Sequence, residues 1–327
     1  MDFILPFNIK PSEDKISYGQ KIFFIGSCFT EEIGNHFNKL KFDVLQNPNG
    51  ILYDPRSIAY TLTSYVENKQ YRQQDLFLQD ELWHSWRHHS VFSGMNKDEV
   101  INNINTSQST GHSFLQKASW LLITLGTSYS YRLKSNGEFV ANCHKAPSSF
   151  FDKMLTPLEE IELQISSAIK DVQLFNPNLK IIFTISPVRH IGDGIIENSR
   201  SKARLIEAVH SIIEKNKNVF YFPAYELVID VLRDYRFYKE DMVHANETAV
   251  NYVFESFCKT LLSEDAKKLV TELKTLLSAM NHKPFQKESA AHKKFLETQL
   301  EKAKNIKGLN PDIDLSKEIN YFSGMPA

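Results

Sequence analysis

Two short patterns in this chain bring together residue types suited to acyl transfer. The first is Phe23-Phe24-Ile25-Gly26-Ser27-Cys28-Phe29-Thr30, an apolar run broken by glycine and followed at once by a serine. If the run is a strand and a helix begins just after it, Ser27 stands at the helix N-terminus. There, free N–H groups and the helix dipole favour developing negative charge. A serine so placed can attack a carbonyl, and its own N–H can join an oxyanion hole. The competing reading is that Ser27 only caps the helix. Cys28 is a rival nucleophile, because helix N-termini lower thiol pKa values. The second pattern is Asp241-Met242-Val243-His244, closely followed by Asn246. A carboxylate three residues before an imidazole can hold its Nδ1, fix the tautomer and leave Nε2 as a general base. Here the competing reading is a surface loop with a capping role. Each pattern alone is weak, but together they supply serine, aspartate and histidine in one chain order.

These groups act together only if the fold brings them together. The strand candidates are Lys21–Ile25, Phe42–Gln46, Leu121–Leu125, Lys180–Ile185 and Val219–Phe222. Most are nearly all apolar, as strands of a parallel sheet covered on both faces are. Helical periodicity lies between them: Phe29–Leu40, a helix opened by Pro55, Leu158–Leu174, Asn198–Lys215 carrying Ala203, Ile206, Val209 and Ile213, and Glu247–Leu262 capped by Asn246. Alternating strands and helices predict a doubly wound, three-layer α/β fold with about five parallel strands. Ligands in such folds bind beyond the carboxyl ends of the strands, where Gly26 and Gly126 fall, with Gly50 just beyond another strand. The expected division is an α/β domain over 1–262, with an insertion at about 67–119, and a helical extension over 263–327. The extension, amphipathic over Glu264–Met280 and rich in Lys and Glu over Lys287–Lys307, either packs on the domain or offers a partner or oligomer surface.

Further polar clusters fall near the same strand ends. Asn142, His144 and Lys145 follow Phe139–Ala141 in an expected loop, and Arg189 and His190 follow the strand ending at Ile185. Arginine there can hold a carboxylate or phosphate. Trp83-His84-Ser85-Trp86-Arg87-His88-His89 suggests pocket walls or a buried polar network. His84, His88 and His144 could also be metal ligands, but no His-Glu-x-x-His accompanies them, and no metal or cofactor is expected.

Gly26-Ser27-Cys28-Phe29-Thr30 closely resembles the Gly-Ser-Cys-Phe-Ala signature of the GSCFA-domain proteins, a family within the SGNH, or GDSL-like, hydrolase clan. The resemblance continues in Asn47-Pro48-Asn49-Gly50-Ile51-Leu52-Tyr53-Asp54-Pro55, Leu125-Gly126-Thr127-Ser128, Asn142-Cys143-His144-Lys145, Ser186-Pro187-Val188-Arg189-His190 and Asp241-Met242-Val243-His244. It spans roughly residues 20–260 and implies a flavodoxin-like parallel sheet and serine-esterase chemistry. It further implies Ser27 as nucleophile, His244 as base and Asp241 as its orienting partner. The oxyanion would be held by the N–H groups of Ser27 and Gly50. The clan's third block, Gly-x-Asn, is here Gly126-Thr127-Ser128, which offers only hydroxyls. Ser128, Asn142 or Asn47 would have to stand in for the missing amide. Trp86, His144, Lys145, Arg189 and His190 are the expected substrate-binding residues. The implied substrate is a small-molecule or glycan O-acyl ester. An acyltransferase on the same triad, or a binding protein on the hydrolase scaffold, is the alternative.

Composition removes other classes. Lys and Arg number 38 against 39 Asp and Glu, so bulk charge does not draw the chain to nucleic acid or anionic membranes. The three cysteines have no paired spacing. Met1–Ser12 lacks an apolar signal region, and the apolar runs are too short to span a bilayer. A reducing, cytoplasmic setting is expected.

Overall fold

The computed structural model describes residues 6–10 and 12–324. The chain runs β1 (Lys21–Gly26), α1 (Cys28–Lys39), β2 (Asp43–Gln46), α2 (Pro55–Val66), β3 (Phe77–Gln79), β4 (Leu82–His84), α3 (Lys97–Lys117) and β5 (Trp120–Leu125). Next come β6 (Tyr129–Leu133), β7 (Phe139–Val140), β8 (Phe151–Leu155), α4 (Leu158–Phe175), β9 (Lys180–Ile185), α5 (Ile195–Lys215), β10 (Val219–Tyr221) and the single turn α6 (Ala224–Glu226). The helices α7 (Glu247–Leu261), α8 (Glu264–Asn281), α9 (Ala290–Leu309) and α10 (Ser316–Ser323) complete it.

Five strands form a parallel sheet in the order β10-β9-β5-β1-β2. This is the expected three-layer α/β architecture. The central strands are apolar at every position because both faces are covered, yet they still alternate. Phe23 and Ile25 of β1 face the core under α2 to α5, with Leu62, Leu115, Ile165 and Val209. Ile22 and Phe24 face the opposite core, with Phe29, Phe37, Phe254 and Phe257 of α1 and α7. The chain leaves β1 toward β2 on one side and joins β5 on the other, so the strand order reverses beside β1. The crevice at that reversal lies outside the strands' carboxyl ends.

Several elements differ from the sequence reading. The buried face of α5 runs through Asn198, Ser201, Lys202, Leu205, Ala208, Val209 and Ile212, with Ile206 and Ile213 half-buried beside it and Ala203 exposed. Three of its members are polar, which hid the stripe from a count of apolar residues. The segment 67–119 contributes the β3–β4 hairpin, but it ends in α3, whose Leu115 is buried in the sheet's core. The connection from β2 back to β5 thus covers this face with two helices, α2 through Ile58 and Leu62 and α3 through Leu115. The antiparallel β7-β6-β8 sheet was not foreseen, because its strands are short and half polar. The C-terminal helices pack on the domain: Leu269, Val270 and Leu273 of α8 join its core, as do Ile306 of α9, Ile313 and Leu315. The buried Glu318 pairs with Lys41 at 2.9 Å. Among the described residues, no helix is long and apolar enough to cross a membrane.

Candidate active site

Ser27 follows β1 at the N-cap of α1, as expected, but its side chain makes no capping bond. Its Oγ is buried and has no hydrogen-bond partner among the described residues. The backbone explains how it gets there. Gly26 takes φ +139°, and a Cβ on it would lie 2.2 Å from the Thr124 carbonyl oxygen. Only glycine lets β1 end this close to β5.

Asp241 and His244 meet in the loop before α7. Asp241 Oδ1 accepts the N–H groups of Val243 (2.9 Å) and His244 (3.0 Å), and Oδ2 lies 2.7 Å from His244 Nδ1. Met242 adopts φ 58° to close this turn. The two N–H groups, His244's first, and then the imidazole hold the Asp241 carboxyl down at about 2. The pair therefore stays ionised on the aspartate side over the whole neutral range. No hydrogen bond engages His244 Nε2 among the described residues. Arg189 braces the loop: its N–H donates to Val243 O (3.3 Å) and its guanidinium to Met242 O (3.2 Å). The same guanidinium stacks over Tyr238, 4.2 Å from the ring centre.

A cavity of about 440 Å³ lies between these groups. Cys28, Tyr53, Thr127, Asn142, Arg189, His190 and His244 line it, with Tyr129, Tyr131 and Lys153 on its far wall. Ser27 adjoins this cavity, beside Cys28 and below His190. A Cβ at Gly126 would sit 3.3 Å from His190 Nε2 and 3.4 Å from Ser27 Cβ. Ser27 is 1% exposed. No hydrogen bond joins Ser27 to either histidine.

The expected oxyanion donors are mostly committed elsewhere. The Ser27 N–H donates to Thr124 O (3.1 Å), and the Gly50 N–H to Asn47 O (2.7 Å) inside a tight turn. Ser128 is fully buried and bonds Ser201 behind the cavity. Asn47 turns its Oδ1 to the Gly26 N–H, bracing the end of β1. Asn142 does line the cavity, with Oδ1 held by the His144 N–H (2.8 Å).

Three expected substrate contacts lie outside this cavity. His144 is buried, and its ring nitrogens are engaged by Ser90 Oγ (3.0 Å) and Ser85 O (2.8 Å). His84 and His88 likewise spend Nδ1 on Ser93 and Ser85. These histidines knit the irregular segment together through hydroxyls. Trp86 stacks on Phe77, ring centres 3.5 Å apart, over a separate depression. Lys145 points to solvent from a left-handed turn, φ 59°. Cys28 lines the cavity, but burial pushes its thiol upward, outweighing the pull of nearby amides. That disfavours the thiolate a nucleophile requires.

The profile of the GSCFA family matches residues 21–257, and that of the GSCFA domain protein C-terminal domain matches residues 273–324. The chain belongs to the GSCFA family. A search of curated proteins found no match to this GSCFA chain. Among solved structures, it is similar to an acetyl xylan esterase from the rumen bacterium Butyrivibrio proteoclasticus. The identity is 14%, covering 80% of this chain and 66% of that one, with a TM-score of 0.36. It is also similar to a Clostridium thermocellum family 3 carbohydrate esterase, at 11% identity over 79% of this chain and 98% of that one, with a TM-score of 0.37. The GSCFA chain thus spans just under two thirds of the acetyl xylan esterase's length.

Sequence reasoning missed several residues of the GSCFA site. Tyr129 and Tyr131 are two apart on β6, so one face of the strand presents both to the cavity, and Lys153 lies over both rings. Their alternation with serine was a readable signal. Lys202 is fully buried on α5, donating to the carbonyls of Gly126 (2.5 Å) and Ser186 (2.6 Å) at the tips of β5 and β9. Burial drives its pKa down to about 7. A lysine three residues before Leu205 and seven before Val209, on one helical face, was its signal.

Proposed function

We propose that this GSCFA protein is a serine esterase acting on an O-acyl ester, with a carbohydrate as the alcohol component. Ser27 Oγ attacks the ester carbonyl carbon while His244 Nε2 takes its proton. The carbonyl electron pair moves onto oxygen. When the intermediate collapses, the C–O bond to the alcohol breaks and His244 returns the proton to the leaving alkoxide. Water, activated by the same imidazole, then resolves the acyl-enzyme. Asp241 orients His244 and stabilises the imidazolium.

One observation carries this reading: the 2.7 Å Asp241–His244 bond leaves Nε2 unengaged on a cavity that adjoins a buried, uncapped, unpartnered serine. A buried hydroxyl without a partner is costly and is not kept by helix capping here. The tyrosines of the cavity wall support a sugar, whose apolar faces stack on aromatic rings while its hydroxyls meet Asn142 and Lys153. An acyltransferase differs only in resolving the acyl-enzyme with a substrate hydroxyl. A second reading, a ligand-binding protein on this scaffold, is favoured by the 1% exposure of Ser27 and its missing bond to His244.

Fluorophosphonate labelling, mapped by mass spectrometry, separates them. The esterase reading expects one adduct on Ser27, absent from folded Ser27→Ala and slowed at least 100-fold in His244→Ala. An unlabelled, folded parent favours the binding protein.

A further inference from the structure

We propose that His190 is the oxyanion-hole donor of this site, presenting a neutral Nε2–H to the carbonyl oxygen attacked by Ser27. The assignment rests on the esterase reading above and deepens it. It begins from a deficit. The amides that would ordinarily surround the oxyanion are spent: Ser27 N–H on Thr124 O, Gly50 N–H on Asn47 O, and the Gly126 and Thr127 N–H groups on Tyr53 O (2.8 and 3.0 Å). The third block carries no asparagine. Of the expected donors that leaves the Asn142 side-chain amide on the cavity wall, and charge on the carbonyl oxygen would develop with little other support.

Among the described residues His190 Nε2 is buried without a partner, as is Ser27 Oγ. Both approach the space where Gly126 lacks a side chain, and its missing Cβ is what lets them converge. The ring is well placed to stay put. Its backbone N–H donates to Asn198 Oδ1 (2.9 Å), and Tyr53 stands edge-on to it, ring centres 5.6 Å apart. Arg189, the preceding residue, ties this segment to the loop carrying Asp241 and His244. The two imidazoles are therefore positioned by one connection.

Their surroundings divide the labour. His244 has a carboxylate on Nδ1 to balance an imidazolium, and so it suits the base. Among the described residues no carboxylate is hydrogen-bonded to either ring nitrogen of His190, and Asp193, whose charge acts on it, is paired with Lys153. Burial first, then the Lys202 ammonium and His244, push its pKa down to about 4. It cannot usefully accept a proton at neutral pH. A neutral imidazole held in this way serves as an electrophile, polarising a carbonyl by donation. In the step itself, Ser27 Oγ forms a bond to carbon and its proton passes to His244. The carbonyl π pair moves onto oxygen, which accepts the His190 Nε2–H bond with no transfer of that proton.

The test uses full-length parent, His190→Ala, His190→Gln and His244→Ala, with p-nitrophenyl acetate hydrolysis and fluorophosphonate labelling as readouts. Glutamine keeps an N–H donor near the position of Nε2. His190→Ala is expected to lower kcat about 100–1,000-fold with KM within about threefold of the parent, as for removal of one oxyanion donor. His190→Gln is expected to retain at least about a tenth of the parental kcat, with an unchanged midpoint in the pH profile of kcat/KM, since the residue replaced gives up no proton in the step. Parental kcat in folded His190→Ala overturns the assignment. So does a His190→Gln variant that is folded but as slow as a missing donor, or that shifts the pH midpoint, which marks a base. If His190→Ala does not fold, His190→Gln alone decides. These outcomes leave labelling of the parent at Ser27, and with it the esterase reading, intact. A folded parent that neither labels nor hydrolyses overturns both.

Discussion

Asp241 illustrates how much of a residue's role depends on its exposure. A buried aspartate that orients a catalytic histidine is worth roughly 10,000-fold in kcat when replaced by asparagine. Here the carboxylate is about half exposed and its bond to His244 is open to water. Asp241→Asn also weakens the two N–H contacts that fold the loop. We expect a loss of about 100-fold or more in kcat for ester hydrolysis, yet short of the buried limit, with the melting temperature little changed. Steady-state kinetics beside thermal unfolding checks both halves. Arg189 acts at one remove, holding the loop through Val243 and Met242 carbonyls. Arg189→Lys keeps the charge but loses the planar guanidinium over Tyr238, so kcat should fall while Ser27 remains labelled, only more slowly.

At the scale of elements, the strand-to-helix turn after β1 is the part that tolerates least. Gly26 combines a positive φ with a backbone oxygen 2.2 Å from any Cβ. Gly26→Ala must displace β5 or distort the turn, and we expect a loss of about 3 kcal/mol or more in urea unfolding. Gly19, at φ +82° with open space around it, is the matched control. Gly19→Ala should cost only about 1–2 kcal/mol, the strain of the backbone alone. Equal losses would show that crowding at β5 contributes nothing. The strands and the major helices were readable because apolar runs and caps are local properties of the chain. Asp54 before Pro55 caps α2, and Asn246 caps α7, where the sequence placed helix starts. The β7-β6-β8 sheet was not readable, because its strands are two to five residues long and half polar, and the β6–β8 pairing joins residues as distant as Tyr129 and Leu155.

Across the whole molecule, stability is tied to buried bases that folding holds neutral. Burial pushes His88 down to about 3 and His144 and His190 to about 4. Each takes up a proton in the unfolded chain near pH 6.5 but not in the folded one. Their stabilising contribution is therefore complete above pH 6.5 and is lost as pH falls from there toward 4 and then 3. Urea midpoints measured from pH 7 to 4 should fall with a slope approaching three protons, reduced by one in His190→Gln. Lys202 follows the same sign at higher pH. Its folded pKa of about 7 lies below the ordinary 10.5, so stability should rise between pH 7 and 10.5. A neutral amine still has two N–H groups for its two carbonyl acceptors. In Lys202→Met that rise should vanish, at the cost of two unpaired carbonyls at the strand tips.

Local chemistry along the chain determined the layered α/β fold, the turn that delivers Ser27, and the Asp241–His244 pair. Each depends on residues within a few positions of one another: an apolar run, a glycine that only a tight turn requires, a carboxylate three residues before an imidazole. The tertiary structure alone decided which polar groups remain available. Ser27 loses its N–H to the Thr124 carbonyl of a neighbouring strand, His144 is sealed among serines, and Ser128 turns away to Ser201. His190, an ordinary residue after a strand in the sequence, is left with an unpartnered nitrogen over the serine. Hydrogen-bond partners are assigned by packing across segments distant in sequence. Spacing along the chain can propose a donor, but only the fold shows whether its hydrogen is already taken.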